Sequence, residues 1–332
     1  MIILSEIISI IMATRYVEKS ENSADKISTT PHSEAVCLLQ WGEKDGRNYI
    51  GTGFLAVDED SRNKQVYFMS AGHNFENLNF SKQTIPADHQ VGWEDYQIKF
   101  NYTKPIDSLY KMNLRDFLTV SKFKEDQILF GRCIEDNKAD SDFMIVPLGV
   151  TIEELKGKFE KIDAIAISKE KKALLDSSKL DFYIIGHPNS KNDKEVIQKA
   201  TCGKVREPED LKADCRKEER KTLIEMMKTT KLFHHVDTIE GSSGSPLMFF
   251  GNYQWNVAGI HVGGFDRMSF LSRRHVNYAE YIFALLRNQK EEGKPFFCQK
   301  PYSSKGNLSP ELALTCFVLN LLLNTMHIDS IL

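Results

Sequence analysis

The chain has 332 residues, of which 41% are hydrophobic and 27% charged, and its formal net charge is −3. This composition is that of an ordinary globular protein, long enough for two six-stranded β-barrels of about 100–120 residues each with residues to spare. The small negative charge excludes the basic character of a nucleic-acid-binding protein, so no nucleic acid is expected as a partner.

Both ends of the chain carry apolar stretches that do not fit a targeting or membrane segment. Residues 1–12 lack a basic start and are interrupted by Glu6, whereas a secretory signal has a charged opening and a clean apolar core. Residues 312–326 are interrupted by Asn320 and Asn324 and are shorter than the ~20 apolar residues of a bilayer span. We expect a packing helix there rather than a membrane anchor.

From Ala35 onward, short apolar runs alternate with polar turns. Strands are predicted over residues 36–41, 49–57 and 65–70. Short strands at this spacing are typical of all-β barrels rather than of βαβ units. The third strand runs into Ser70-Ala-Gly-His73, which places a histidine at a strand end.

An acidic residue begins the next strongly apolar run. The segment 75–140 is long and polar and indicates surface insertions, and after it comes Ser141-Asp-Phe-Met-Ile-Val-Pro-Leu148. A carboxylate at the start of such a strand is costly to bury unless it accepts hydrogen bonds. Asp142 is therefore a candidate functional carboxylate, with Asp140 as the alternative.

The second half of the chain repeats the strand pattern. Residues 151–180 are rich in Lys and Glu and predict a helical turn between two barrels, whereas the densely charged residues 205–230 indicate a surface insertion. The predicted elements are strands over 180–188, 196–205 and 232–236, a hairpin over 247–250 and 255–264, and a closing helix over 278–287. The predicted domains are a loose leader (1–34), a first barrel (35–150), a linker (151–180), a second barrel (181–292) and a C-terminal extension (293–332).

The most distinctive stretch is Thr238-Ile-Glu-Gly-Ser-Ser-Gly-Ser-Pro246. Ser243 lies between Gly241 and Gly244, and glycine permits backbone conformations that a Cβ forbids. A tight loop here can direct two N–H groups toward one point beside an exposed hydroxyl, which is the geometry of a serine nucleophile with its oxyanion hole. An ordinary Gly/Ser turn is the alternative.

Together these motifs resemble the chymotrypsin-like serine peptidases over residues 35–290. The loop is similar to the family's Gly-Asp-Ser-Gly-Gly-Pro, with Ser242 and Ser245 in place of the Asp and the second Gly. Ser-Ala-Gly-His73 is similar to the family's Thr-Ala-Xaa-His, and Asp142 matches its strand-leading Asp. The resemblance implies an all-β fold of two six-stranded antiparallel barrels with a C-terminal helix.

The resemblance also implies a serine endopeptidase mechanism without a cofactor, acting on a protein or peptide substrate. Ser243 would attack the peptide carbonyl, His73 would act as its base, and Asp142 would orient His73. The backbone N–H groups of Gly241 and Ser243 would form the oxyanion hole. The opposing hypothesis is a catalytically silent double barrel that binds peptides.

Two positions bear on specificity. Thr238 stands five residues before Ser243, and His261 lies in a strand whose edge, with Gly263 and Gly264, should pair with the substrate backbone. These residues resemble those of the glutamyl endopeptidases, and the picornaviral chymotrypsin-like cysteine proteases share the Thr and His and accept Gln. The resemblance therefore implies cleavage after Glu or Gln.

A competing signal comes from Asp237, six residues before Ser243, which holds the place that gives trypsin its preference for Lys and Arg. An imidazole in the same pocket would crowd a long basic side chain, so this hypothesis ranks second. A further alternative is that His261 is a packed barrel residue.

The six cysteines do not occupy the positions at which secreted family members keep disulfides, since none follows His73 and none stands just before Gly241. The fold is therefore expected not to depend on disulfides, which favours an intracellular compartment over a secreted one. The spacing of Cys202 and Cys215 with the histidines at 234 and 235 fits no compact zinc pattern, so no metal is expected. The sequence does not indicate an oligomeric state.

Overall fold

The structure, a computed structural model, is all-β with three α-helices among the residues it describes, so the predicted fold class is confirmed. Short strands follow one another from Val36 to Tyr281, and most of them pair antiparallel with their neighbours. The residues that the structure describes are 32–42, 48–61, 63–75, 78, 91–100, 110–123, 125–131, 141–159, 162–169, 180–188, 198–206, 231–236, 238, 240–251, 254–264 and 277–292.

The first strand group contains seven described strands, one more than predicted for a barrel. Their spatial order is β5-β4-β1-β2-β3-β7-β6, and every neighbouring pair is antiparallel. In chain order the strands are β1 (Val36–Gly42), β2 (Asn48–Asp58), β3 (Gln65–Ser70), β4 (Gln97–Phe100), β5 (Tyr110–Asn113), β6 (Leu129–Gly131) and β7 (Phe143–Pro147).

The segment predicted to be a surface insertion contributes to the first core. It contains β4, β5, β6 and helix α1 (Leu114–Val120), which begins where the Asn113 side chain accepts a hydrogen bond from the Asp116 N–H. This is a regular N-terminal helix cap. The helix buries Phe117, whose ring centroid lies 5.5 Å from that of Phe100 and 6.2 Å from that of Phe68. The insertions predicted within this stretch therefore do not include these residues, because a few aromatic side chains in a polar stretch suffice to anchor them to the core.

The second strand group also contains seven described strands. Their order is β10-β9-β13-β14-β15-β12-β11, again with antiparallel neighbours throughout. In chain order they are β9 (Phe182–Gly186), β10 (Lys199–Gly203), β11 (Val205–Arg206), β12 (Lys231–His234), β13 (Pro246–Gly251), β14 (Gln254–Gly264) and β15 (Asn277–Tyr281).

Between the groups lie helix α2 (Ile152–Lys158) and the short strand β8 (Ile165–Ile167). The helical turn was predicted, and its first turn is closed by reciprocal hydrogen bonds between Thr151 and Glu154. The strand was not predicted. It pairs in parallel with both β2 and β14 and so joins the two groups into one sheet.

A shared core lies between the two groups. It combines side chains from the first group with side chains from the second, so that burial of each depends on the other. Its fully buried members include Phe54, Met69, Ile145, Ile185 and Ile260. The relative placement of the groups, and of the loops that meet between them, is therefore held by apolar packing.

The closing helix begins later than predicted. Residues from Asn277 to Tyr281 form β15, and helix α3 covers Ile282–Glu292. The predicted start at Tyr278 was wrong because these residues complete the ladders of β12 and β14, and backbone pairing on both sides outweighs a helical spacing of apolar residues.

Several predictions fall on residues outside the described part of the chain. These are the leader up to residue 31, Asp140, the charged residues 207–230, Asp237 and the extension from 293.

Of the helices that the structure describes, none has the length and apolarity to cross a bilayer. Among the described cysteines, Cys37 and Cys202 are both free thiols.

Candidate active site

Two hydrogen bonds join His73 to Asp142. His73 lies in a short 3₁₀ turn, Gly72–Phe75, directly after β3, and Asp142 directly precedes β7. These strands pair antiparallel, with Ser70 opposite Met144, so the end of one lies beside the start of the other. The His73 backbone N–H donates to Asp142 Oδ1 at 2.7 Å, and the ring Nδ1 lies 2.8 Å from Oδ2. The two strands thus bring the predicted pair together, although its residues are 69 positions apart in sequence.

This contact fixes the tautomer of a neutral His73. An ionised carboxylate only accepts hydrogen bonds, so the proton between the two groups lies on Nδ1 and leaves Nε2 as an acceptor. Gly72 permits the close approach, because a Cβ there would lie 2.4 Å from the Gly131 carbonyl oxygen and 2.9 Å from Asp142 Oδ1. The His73 and Asp142 side chains are 32% and 19% exposed, so the imidazole remains accessible.

The Ser243 loop, residues 241–245, is a tight turn that depends on glycine. Gly241 and Gly244 have φ angles of 87° and 90°, which other residues rarely adopt. A Cβ on Gly244 would lie 2.0 Å from the Thr52 carbonyl oxygen and 2.4 Å from Ser70 Oγ. The glycine spacing that marked this loop in the sequence is therefore required both by backbone conformation and by space.

The Ser243 loop contacts the segment that carries His73. The Ser243 carbonyl oxygen accepts hydrogen bonds from the Thr52 N–H at 2.9 Å and from Asn74 Nδ2 at 3.0 Å. Asn74 follows His73 directly, and its side chain also donates to Ser70 Oγ. All three predicted triad residues thus lie on backbone segments that contact one another.

The Ser243 hydroxyl donates to the Val262 carbonyl oxygen of β14 at 2.9 Å. Between the described side chains of His73 and Ser243 the structure shows no hydrogen bond. Within the same described residues, no backbone hydrogen bond uses the N–H of Gly241 or of Ser243. The loop therefore presents a half-buried hydroxyl next to two N–H groups for which the described backbone offers no acceptor.

Thr52 is a residue of this site that the sequence did not reveal. Its hydroxyl donates to the Gly241 carbonyl oxygen at 2.9 Å and accepts from the His187 N–H at 3.0 Å. Its own carbonyl oxygen accepts from Ser70 Oγ at 2.7 Å. The sequence offered a weak signal, a threonine between two glycines in a predicted strand, but nothing in it indicated what the hydroxyl would contact.

His261 lies in the interior. Its residue is 2% exposed, its Nδ1 lies 3.2 Å from Nε2 of His234, and its ring hydrogen-bonds the backbone of Tyr278. His234 Nδ1 accepts from the Val236 N–H at 3.3 Å, so a neutral His234 donates through Nε2 to His261 Nδ1. These contacts fit the alternative of His261 as a packed barrel residue.

The remaining predicted specificity residues lie on either side of the loop. Thr238 is partly exposed. Gly263 and Gly264 pair with Tyr278 and Asn277 of β15. On the opposite side, pairing of β14 with β13 ends at Ile260, so in the described chain the edge from Val262 to Gly264 has no strand partner there.

Comparisons with known proteins give little beyond this geometry. No protein-family profile matches the chain, and no curated protein sequence matches it. Among solved structures, HL collagenase at 1.7 Å resolution is similar, with a TM-score of 0.49 and 12% identity over 79% of this chain and 95% of that chain. At this identity and TM-score the likeness decides neither the fold nor the activity.

The contacts of Thr52 predict a large effect of a small substitution. Thr52→Val keeps the shape but leaves the buried His187 N–H and Gly241 carbonyl without their partner, so we expect a loss of about 2–4 kcal/mol in the free energy of unfolding. Thr52→Ser, which keeps the hydroxyl, should cost about 1 kcal/mol. Urea denaturation of both variants measures this, and equal losses would contradict the assigned hydrogen bonds.

The buried histidines predict loss of stability in mild acid. Burial lowers the pKa of His187 and His261 to about 3, and burial together with His261 and His235 lowers that of His234 well below its usual value. Unfolded histidines bind protons as the pH falls through about 6.5 while these stay neutral. Stability is therefore full above pH 6.5 and declines below it, by up to about 4 kcal/mol per pH unit for the three groups.

Urea denaturation at pH 7.5, 6.5 and 5.5 measures this decline. A free energy of unfolding that is the same at pH 6.5 and pH 5.5 would show that the three rings become protonated within the folded protein.

Proposed function

We propose that the protein is a serine-type endopeptidase that hydrolyses peptide bonds through Ser243, His73 and Asp142. The observation that carries this proposal is the pair of hydrogen bonds from His73 to Asp142, formed beside the Ser243 loop. A carboxylate that binds both the backbone and the Nδ1 of one histidine leaves Nε2 free to accept a proton, which is what a serine nucleophile requires of its base.

In the proposed reaction, the Ser243 hydroxyl turns from the Val262 carbonyl toward His73 Nε2 and attacks the substrate carbonyl carbon. His73 takes the hydroxyl proton and later gives it to the leaving amine, while Asp142 stabilises the imidazolium. The N–H groups of Gly241 and Ser243 bind the oxyanion, each contributing about 3–4 kcal/mol. Water then hydrolyses the acyl-enzyme with His73 again as base.

A peptide-binding module without catalysis is the second candidate. It is favoured by the hydrogen bond between the Ser243 hydroxyl and the Val262 carbonyl, which keeps the serine away from the imidazole. The edge of β14 from Val262 to Gly264 would serve this function equally well, since an extended peptide can add to a free strand edge.

A fluorophosphonate probe separates the two candidates. We expect the wild-type chain to be labelled at Ser243 and to cleave peptides, and Ser243→Ala to lose both. Asp142→Asn should reduce the rate of peptide cleavage by about 10⁴-fold, because the amide favours the wrong imidazole tautomer. Absence of labelling in a correctly folded wild-type protein would exclude the endopeptidase and leave the binding module.

We infer further that cleavage occurs after Gln or Glu, an assignment that rests on Thr238 and His261. A hydroxyl and an imidazole can donate hydrogen bonds to a side-chain oxygen. To do so, the His261 ring would give up its hydrogen bond to the Tyr278 backbone and form one to the substrate instead. The lowered pKa of His261, about 3 because of burial and then of His73, keeps this ring neutral at pH 7. A pocket without positive charge accepts an amide at lower cost than a carboxylate, so Gln ranks before Glu.

A peptide-library digest analysed by mass spectrometry tests the preference. Thr238→Val should lower kcat/KM for cleavage after Gln about tenfold, the value of one hydrogen bond, whereas Thr238→Ser should retain it. Cuts after Lys or Arg would instead support the trypsin-like alternative based on Asp237.

A further inference from the structure

We propose that Glu280 and Lys231 are positioning residues for Asp142, and this rests on the proposed function of the triad. Glu280 holds the Asp142 main chain, and Lys231 pairs with Glu280 in the interior. Both residues belong to the second strand group, whereas Asp142 and His73 belong to the first.

One carboxylate oxygen makes both contacts. Glu280 Oε1 accepts from the Asp142 N–H at 3.0 Å and from Lys231 Nζ. Lys231 and Glu280 are direct cross-strand neighbours on β12 and β15. Their side chains are 2% and 0% exposed, so the ion pair is fully removed from water.

Stability alone does not explain a buried ion pair of this kind. The cost of desolvating two charges offsets most of their attraction, and apolar residues of similar size are often at least as stabilising. Here the pair lies where it can act on the triad acid. Lys231 Nζ also lies 4.8 Å from the centre of the Tyr278 ring. Burial and the carboxylates of Asp142 and Glu280 raise the pKa of the Tyr278 phenol, which keeps it neutral.

The arrangement holds Asp142 from two sides. Its carboxylate accepts both hydrogen bonds from His73, and its N–H is bound to Glu280. Without Glu280 the Asp142 N–H loses this acceptor, and the backbone that aims the carboxylate loses its hydrogen bond to the second strand group. A displacement of about 1 Å in a triad member is enough to cost about 100-fold in rate.

Two neutral variants isolate the hydrogen bond. The double variants Lys231→Met with Glu280→Gln, and Lys231→Met with Glu280→Leu, have the same net charge as the wild type and similar buried volumes. The Gln variant retains an oxygen that can accept from the Asp142 N–H, whereas the Leu variant does not. We expect the Leu variant to have a kcat about 10- to 100-fold below that of the Gln variant at unchanged KM.

The control for loss of an ion pair elsewhere is Lys169→Met, which breaks the contacts of Lys169 with Asp58 and Asp60. It should leave the ratio of kcat to KM unaltered.

If the Gln and Leu variants share the same kcat, the positioning role is overturned. If the Leu variant does not fold, Glu280→Asp, whose shorter side chain withdraws the acceptor but keeps the charge, should lower kcat about tenfold; an unchanged kcat overturns the proposal.

A spectroscopic measurement separates this proposal from the function on which it rests. The His73 Nδ1 proton gives an NMR signal whose position and exchange with water report its bond to Asp142, whether or not the chain cleaves peptides. We expect the signal to persist in the Gln variant and to broaden or vanish in the Leu variant. An inactive wild type would refute the endopeptidase alone, whereas identical signals in both variants would refute the positioning role alone.

Discussion

The hydrogen bonds of Thr52 are the constraint on which the candidate site depends. This one residue binds the carbonyl groups of Ser243 and Gly241, the N–H of His187 and the hydroxyl of Ser70. It therefore ties the Ser243 loop of the second strand group to the strand that precedes β3 and His73. These groups are hydrogen-bonded to one another instead of to water. Removing one of them therefore leaves a polar atom without its hydrogen-bond partner.

The same constraint explains why the loop has its glycines. With the Thr52 carbonyl so close, position 244 has no room for a side chain, and the positive φ at 241 and 244 is a backbone conformation that other residues rarely adopt. The apolar core shared by the two groups supplies most of the free energy of this arrangement, whereas the polar contacts decide its geometry. Apolar packing is non-directional and could hold the groups in several registers, but a set of fully paired hydrogen bonds selects one.

Electrostatically, the interior below the site has two regions of different character. Beside Asp142, the carboxylate of Glu280 and the ammonium group of Lys231 form an ion pair that is removed from water. Around His261 and His234, burial keeps two imidazoles neutral and joined to each other. In the proposed reaction the first region would stabilise the imidazolium of His73, and the second would offer substrate a pocket without charge.

The sequence was sufficient for the features that depend on local pattern. The strands β1 to β3, β7, β13 and β14 follow from short apolar runs between polar turns, and the glycines around Ser243 mark a turn that other residues rarely adopt. The strand-end His73 and the strand-leading Asp142 were recognisable because each stands next to such a run. The pairing of these two residues, predicted from a resemblance, is seen in the structure, while their catalytic roles stay predictions.

Other features depend on contacts between residues far apart in the chain. The polar segment 75–140 contains three strands and α1, since its few aromatic residues find a core that exists only once β2 and β3 have paired. Tyr278 lies in β15 rather than in a helix because β12 and β14 offer it partners on both sides. Glu280 and Lys231 carry no local signal and Thr52 carries only a weak one, because a hydroxyl or a charge acquires a role only from the groups that face it. Sequence alone thus determined the strands with a local apolar pattern and the glycine turn around Ser243, whereas tertiary structure decided which buried polar groups meet, since those contacts join distant positions such as Thr52 and Gly241, 189 residues apart.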